Sequence, residues 1–424
     1  MQAAPCHASL AGARAAVRPA LAAAAPARPA GLQRPAAAGP TGGGVPRPLG
    51  AAAALGAVAA LRARAGQRRG LAARAALLAG VGGAGPEWGV ALQRSDPSLS
   101  KEGIDLKVVA VARSKFMQLS EGGLSGLEAM GAGGEATDLK KLGEFLASQP
   151  GKKVIIDNTA GEEPCEFYTA WLASGCDVIT PNKKVGSGPL SRYKEAVGSA
   201  TSGGGRFYYE ATVGAGLPII TSLQDLIRTG DKVERIEGVF SGTLSFIFNT
   251  LTPDVAFSKV VKEAAEKGFT EPDPRDDLSG TDVQRKVTIL ARECGLELEL
   301  DDVPVESLVP GPLQSWQPSE EEKAAGLAAS FVKALEPFDA EMATKVMSAS
   351  DKGEVLRYVG VIDLVAKKAS AQGPGHATAA RAVADIVVFK TARYTPRPLV
   401  VQGPGAGAAV TAGGVFADLL RAAA

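Results

Sequence analysis

The chain has 424 residues and a formal net charge of +1, with two histidines and four cysteines. That length holds two or three domains, and the near-neutral balance excludes a general binder of nucleic acid or other polyanions. The cysteines (Cys6, Cys165, Cys176, Cys294) are scattered, with no CxxC pair and no histidine cluster. This excludes a zinc module and points to reduced, buried thiols.

Charge is unevenly spread. Between Met1 and Pro86 there are ten arginines, no lysine and no carboxylate. Residues 1–70 are built of Ala, Pro, Gly and Arg and lack the large apolar residues a core requires, so they are expected to be disordered. An arginine-rich, acid-free leader has the composition of an organellar transit peptide, although serine is scarce here. The plastid is the expected destination, ahead of the mitochondrion or cytoplasm. The apolar run Leu49–Leu61 is 13 residues long, against about 20 for a bilayer span. No membrane span is expected.

In chain order, "AARAALLAGVGGAG" reads as an apolar strand entering a glycine turn. "IDLKVVAVA" (104–112) is nearly continuous in apolar residues, as in a strand buried on both faces. A helix over 138–148, a strand in "KKVIIDNTA", a helix in "CEFYTAWLASG" and strands in "CDVITPNKK" and "RFYYEATVGAGLP" follow. Strands alternating with helices predict a Rossmann-type, doubly wound parallel sheet. After Pro218 the pattern is mixed. Helices are expected in "PIITSLQDLIRTG", "TLSFIFNTL", "FSKVVKEAAEKG" and "DVQRKVTILARECG", and strands in "KVERIEGVFSG", "VLRYVGVIDLVA" and "ADIVVFKTARY". This second part reads as an α+β domain.

Two features carry chemistry. The turn from Gly80 through Val81 and Gly82 to Gly85 fits G-x-G-x-x-G, which lets a backbone approach a pyrophosphate. Where the second strand ends, "VARSK" offers Arg113 and Lys115 and no acid, so NADP(H) is preferred and NAD(H) remains possible. The second feature is "GFTEPDPRDDLSGTDVQRK" (268–286), where Glu271, Asp273, Asp276, Asp277 and Asp282 precede Lys286. Asp282 and Lys286 are four residues apart, so on a helix they share one face. Acids in a helix's first turn also favour its dipole, and that bland reading stands beside the chemical one.

The motifs "EGVFSGTLSFIFN", "TEPDPRDDLSGTDVQRKVTILARE", "TPNKK", "EATVGAGLP" and "GPGAGAAVTAGGVFADLL" together resemble homoserine dehydrogenase, especially the part fused to aspartokinase. The resemblance runs from about residue 77 onward. No kinase-like segment precedes it, and a stand-alone dehydrogenase is expected. It implies NAD(P)H-dependent reduction of L-aspartate 4-semialdehyde to L-homoserine, on the route to threonine, methionine and isoleucine. It also implies Lys286 as proton donor, Glu271 and Asp282 as substrate contacts, and Lys183 between substrate and nicotinamide. Thr159, Gly268 and Gly407 match nucleotide-contacting positions. Glu210, Val213, Ala215 and Leu217 match a monovalent cation loop (Na⁺ or K⁺) whose oxygens come mostly from the backbone.

The lysine pair Lys183 and Lys286 is expected to lower each other's basicity and bring Lys286 toward working pH. Asp273, Asp276 and Asp277 are expected to cap or to position Lys286. The implied layout is a leader over 1–70, a nucleotide-binding domain over 71–217 completed by 395–424, and a substrate-binding and dimerisation domain over 218–394 in a homodimer. One segment departs from the family: "GHATAARAVADIVVF" has Arg381, Val383 and Ile386 where L-x-G-x-D-N carries Leu, Gly and Asn, while Asp385 is kept. A catalytically weak NADP-binding homologue serving as a regulatory partner is therefore one alternative. Aspartate-semialdehyde dehydrogenase is another, and it requires a reactive cysteine.

Overall fold

The computed structural model describes residues 106–124, 134–373 and 385–423. The leader, the Gly80–Gly85 turn, Cys6, Arg381 and Val383 lie outside them. Strand β1 (Ala110–Ala112) pairs with β2 (Phe116–Leu119), which pairs with β3 (Glu135–Ala136), all antiparallel. The strand expected over 104–112 in a parallel sheet is thus shorter, and among the described residues it lies in a separate antiparallel sheet. Its direction reverses at the Arg113–Lys115 turn, where Arg113 N donates to Phe116 O at 2.8 Å.

Helix α1 (Leu139–Ser148) begins where the Asp138 carboxylate accepts from Lys141 N at 2.9 Å, and it buries Leu139, Leu142 and Leu146 at helical spacing. Strand β4 (Val154–Ile156) then leads through α2 (Tyr168–Ala173) to β5 (Asp177–Ile179). Helix α3 (Leu190–Gly203) connects β5 to β6 (Phe207–Tyr208). These strands form a parallel sheet in the order β4-β5-β6. Alternation splits its side chains between two cores. Ile155 and Val178 face Trp171 and Leu172, while Val154, Ile156 and Ile179 face the other way.

The next stretch holds α4 (Ile219–Arg228), β7 (Val233–Val239), α5 (Gly242–Thr250), α6 (Phe257–Glu266), α7 (Thr281–Glu293), α8 (Leu327–Leu335) and α9 (Asp339–Asp351). Strands β8 (Val359–Asp363), β9 (Lys368–Gln372), β10 (Asp385–Thr391) and β11 (Leu399–Gly403) join β7 in an antiparallel sheet, order β11-β10-β7-β8-β9. Ile236, Ile362, Val387 and Phe389 of that sheet share the main core with helix residues such as Leu223, Val260, Val287 and Phe331. Helix α10 (Ala408–Ala423) crosses back, and its Ala412, Val415 and Leu419 cover Val154, Ile156 and Ile179. Because β11 belongs to the antiparallel sheet, the crossing comes after Gly403, later than the expected residue 395.

Candidate active site

Helix α7 organises the acidic stretch. Gly280 leads into it at φ +74°, a left-handed conformation that other residues adopt only with strain. Asp282 and Lys286 then lie one turn apart on one face, with Asp282 Oδ2 2.7 Å from Lys286 Nζ. Lys183 approaches the same carboxylate, its Nζ 3.3 Å from Asp282 Oδ1. Lys286 is buried and also donates to the main-chain carbonyl of Phe240 at 2.6 Å. One carboxylate therefore holds two ammoniums, and Lys286 is fixed from two directions.

Burial opposes charge on Asp282, but the ammoniums of Lys286 and Lys183 hold its carboxyl well below the usual carboxylate range. Burial also opposes charge on Lys286, yet the carboxylates of Asp282, Asp385 and Asp277 outweigh it and raise its pKa. This corrects the expectation that the neighbouring lysine brings Lys286 toward neutral pH. The shared carboxylate stands between the two ammoniums, so attraction dominates repulsion.

The other acids divide by position. Asp273 caps the helical turn Pro274–Leu278, accepting from Arg275 N at 3.0 Å, and pairs with the Arg275 guanidinium, which lies over Trp316. Asp277 accepts from Glu271 N at 2.8 Å and so fixes the loop bearing Glu271; burial raises its pKa. Asp276 is exposed on that turn.

A cavity of about 1290 Å³ opens in front of Lys286. Lys183, Glu271, Asp276 and Asp282 line it, with Gly268 on one side and Gly405–Gly407 on another. Single-ligand pockets run to roughly 1,000 Å³, so this cleft exceeds the usual single-ligand size. The glycines leave room, and Gly407 immediately precedes the first turn of α10. Thr159 follows β4, and its neighbour Ala160 lines the cavity. Buried Asp157 holds this region: its carboxylate accepts from Tyr168 OH, from Thr159 N at 2.8 Å and from Asn182 Nδ2 at 3.2 Å. Asn182 Oδ1 accepts from Lys184 N at 3.0 Å, so the same network seats Lys183. Sequence reading passed over Asp157, although a carboxylate closing the apolar run of β4 was a signal.

Arg113 and Lys115 sit at the β1–β2 turn, the guanidinium 5.7 Å from the Phe116 ring centroid and Lys115 exposed. They are not among the walls of the cavity, and Gly80, Val81, Gly82 and Gly85 lie outside the described residues. The Glu210–Leu217 loop is clamped from both sides. The Glu210 carboxylate accepts from Ile220 N at 2.7 Å and Thr221 N at 3.0 Å, capping α4, while Glu210 N donates to Asp418 of α10 at 3.1 Å. Val213 is buried, and Ala215 takes φ +53°, turning the chain sharply before Leu217.

The described thiols are poor nucleophiles. Burial pushes Cys165 and Cys294 up to about 12 and also raises Cys176. Among the described residues, no cluster of His, Cys, Asp and Glu could hold a metal ion, and no helix is long and apolar enough to cross a membrane.

Residues 80–210 match the family model described as homoserine dehydrogenase, NAD binding domain, and residues 218–420 match the homoserine dehydrogenase model. The chain is 46% identical over 365 residues to a chloroplastic bifunctional aspartokinase/homoserine dehydrogenase of Arabidopsis thaliana, covering 83% of this chain and 39% of that protein. It therefore spans about two fifths of the length of that plant relative. A homoserine dehydrogenase of Emericella nidulans is 47% identical over 293 residues, covering 66% of this chain and 78% of the relative. The crystal structure of a Candida auris protein of unknown function is similar at 38% identity and TM-score 0.72, covering 82% of this chain and 98% of the other.

Proposed function

Since the chain belongs to the homoserine dehydrogenase family, we propose that it reduces L-aspartate 4-semialdehyde to L-homoserine with NADP(H), and less readily with NAD(H). One observation carries this reading: a buried ammonium, Lys286, is held by Asp282 and the Phe240 carbonyl at the wall of a cavity of about 1290 Å³. The nicotinamide, when bound, exchanges a hydride with the aldehyde carbon. As the carbonyl oxygen gains negative charge, Lys286 gives it a proton and solvent recharges the amine. A raised pKa keeps Lys286 in the acid form that reduction uses.

Asp282 and Glu271 hold the substrate's ammonium, and Lys183 stands between substrate and nicotinamide. Thr159, Gly268 and Gly407 contact the nucleotide, with Gly80, Val81, Gly82 and Gly85 at the pyrophosphate and Arg113 and Lys115 at the 2′-phosphate. A monovalent cation takes main-chain oxygens of Glu210, Val213, Ala215 and Leu217. The commitment of the Glu210 carboxylate to α4 supports the main-chain choice. A homodimer and a plastid address complete the proposal; a reporter fused to residues 1–70 and found outside plastids would remove the address alone.

Aldehyde-dependent NADPH oxidation without phosphate is the expected result. Phosphate-dependent reduction of NADP⁺ would instead mark aspartate-semialdehyde dehydrogenase, a reading the neutral thiols oppose. NADPH binding without turnover would mark a regulatory partner, against which the Lys183–Asp282–Lys286 arrangement weighs.

A further inference from the structure

One carboxylate near Lys286 is left unused by the reaction above: its neighbour Ile386 pairs with Val239, the residue before Phe240, whose carbonyl accepts from Lys286. Asp385 opens β10, is 3% exposed, and its Oδ1 has no hydrogen-bond partner among the described residues. A buried carboxylate oxygen without a donor costs free energy, so a nearby positive charge is what offsets it. The other oxygen meets the glycine loop: a Cβ on Gly405 would stand 1.8 Å from Asp385 Oδ2. Gly405 itself lines the cavity, beside Gly407.

The charges around the pair can be named from each element. Asp385 feels Lys286, which favours its charge, and Asp282, which opposes it. Lys286 faces Asp282 on its own helix, Asp385 from β10, Asp277 from the preceding helical turn, and the Phe240 carbonyl after β7. Lys183 acts on the opposite oxygen of Asp282. When a substrate ammonium arrives, the two oxygens of Asp282 face three cations. Lys286 then shares its nearest counter-charge at the moment it must act as an acid. Asp385 is out of that competition because, unlike Asp282, it does not line the cavity but opens β10.

We propose that Asp385 is a positioning residue for the reaction: a buried counter-charge that keeps Lys286 an ammonium while substrate draws on Asp282, seated against the cofactor-side loop at Gly405. The inference rests on Lys286 being the proton donor. Burial pushes Asp385 up to about 6, which still leaves it ionised at neutral pH, as a counter-charge must be.

The test is reductive methylation of Lys286 by formaldehyde with cyanoborohydride as hydride donor, at pH 8 in the full chain, followed by mass spectrometry with surface lysines such as Lys345 as internal reference. Only the neutral amine reacts. Asp385→Asn should speed labelling of Lys286 about tenfold, the effect of one pKa unit, and leave Lys345 unchanged. It should also move the alkaline limb of the kcat profile to lower pH. An unchanged Lys286 rate overturns the proposal, as does a rise shared by all lysines, which would mean loosening of the fold. If Asp385→Asn does not fold, Gly405→Ala presses on the same carboxyl from the loop side and should raise the Lys286 rate in the same selective way. Labelling needs no turnover, so a chain without dehydrogenase activity would sink the assigned reaction and leave this coupling to be judged by the label.

Discussion

Arg292 Nη1 donates to the main-chain carbonyl of Gly186 at 2.9 Å, bonding the last turn of α7 to the short helix Lys184–Ser187 that follows Lys183. Its Nε and Nη2 donate to Leu298 O at 3.0 and 2.8 Å, and its side chain is fully buried. The same seam is tight, since a Cβ on Gly186 would meet Ile289 Cγ1 at 2.9 Å. The distance between Lys183 and Asp282 is thus set by packing on a second, buried contact.

Removing that contact should separate the two lysines' elements. Arg292→Met leaves two carbonyls without their donor, at about 1–3 kcal/mol each. Denaturant unfolding should show a total loss of about 2–6 kcal/mol for the two carbonyls, with kcat falling more than NADPH KM rises. Arg292→Lys should recover part of both. A stability loss with unchanged kcat would mean that the seam does not hold the site.

Lys286→Ala should lower kcat by about 10²–10⁴-fold, the usual contribution of general acid catalysis, and leave NADPH affinity nearly unchanged. Asp282→Ala should place a larger share of its loss in KM if, as proposed, it holds the substrate ammonium. Steady-state kinetics would contradict the assignment if Lys286→Ala kept more than about a third of wild-type kcat.

Cofactor choice is tested at the β1–β2 turn. Arg113→Ala should weaken NADPH far more than NADH, by roughly 10- to 100-fold for a lost charged contact of about 1.5–3 kcal/mol. Equal loss for the two cofactors would shift the assignment to Lys115.

Asp385 carries a pH signature of its own. Burial holds its carboxyl at about 6 in the fold, against an ordinary value of 3.8. Between those values the native state binds more protons than the unfolded one, so this group's contribution falls as pH rises through that window. Two units correspond to about 3 kcal/mol. Relative to wild type, Asp385→Asn should therefore gain stability between pH 4 and pH 7 while its activity falls. Thermal scans showing a constant difference across that range would mean an ordinary, unshifted carboxyl.

Periodicity in the sequence anticipated α1, α4, α6, α7 and β7, because each buries one regular stripe or alternates. Helices α8 and α9 were not anticipated, although Phe331, Leu335, Met342 and Val346 do pack in the main core. Strand β9, "KASAQ", is small and polar, and what makes it a strand is its pairing with β8. The Asp282–Lys286 pair was legible because one helical turn separates the two residues. Its third partner, Lys183, came only through family resemblance, and the direction of the Lys286 shift was read wrongly. No local pattern reveals that Asp385, on a distant strand, bears on that lysine.

The bond between Glu210 N and Asp418 joins residues 208 positions apart. During synthesis, β4 and β5 emerge long before α10 exists to cover Val154, Ile156 and Ile179. At about 5–20 residues per second, that apolar face waits on the order of ten to forty seconds. Chaperones that bind exposed apolar strands have that interval in which to act, and a nascent chain stalled before residue 408 presents them with a sheet it cannot close.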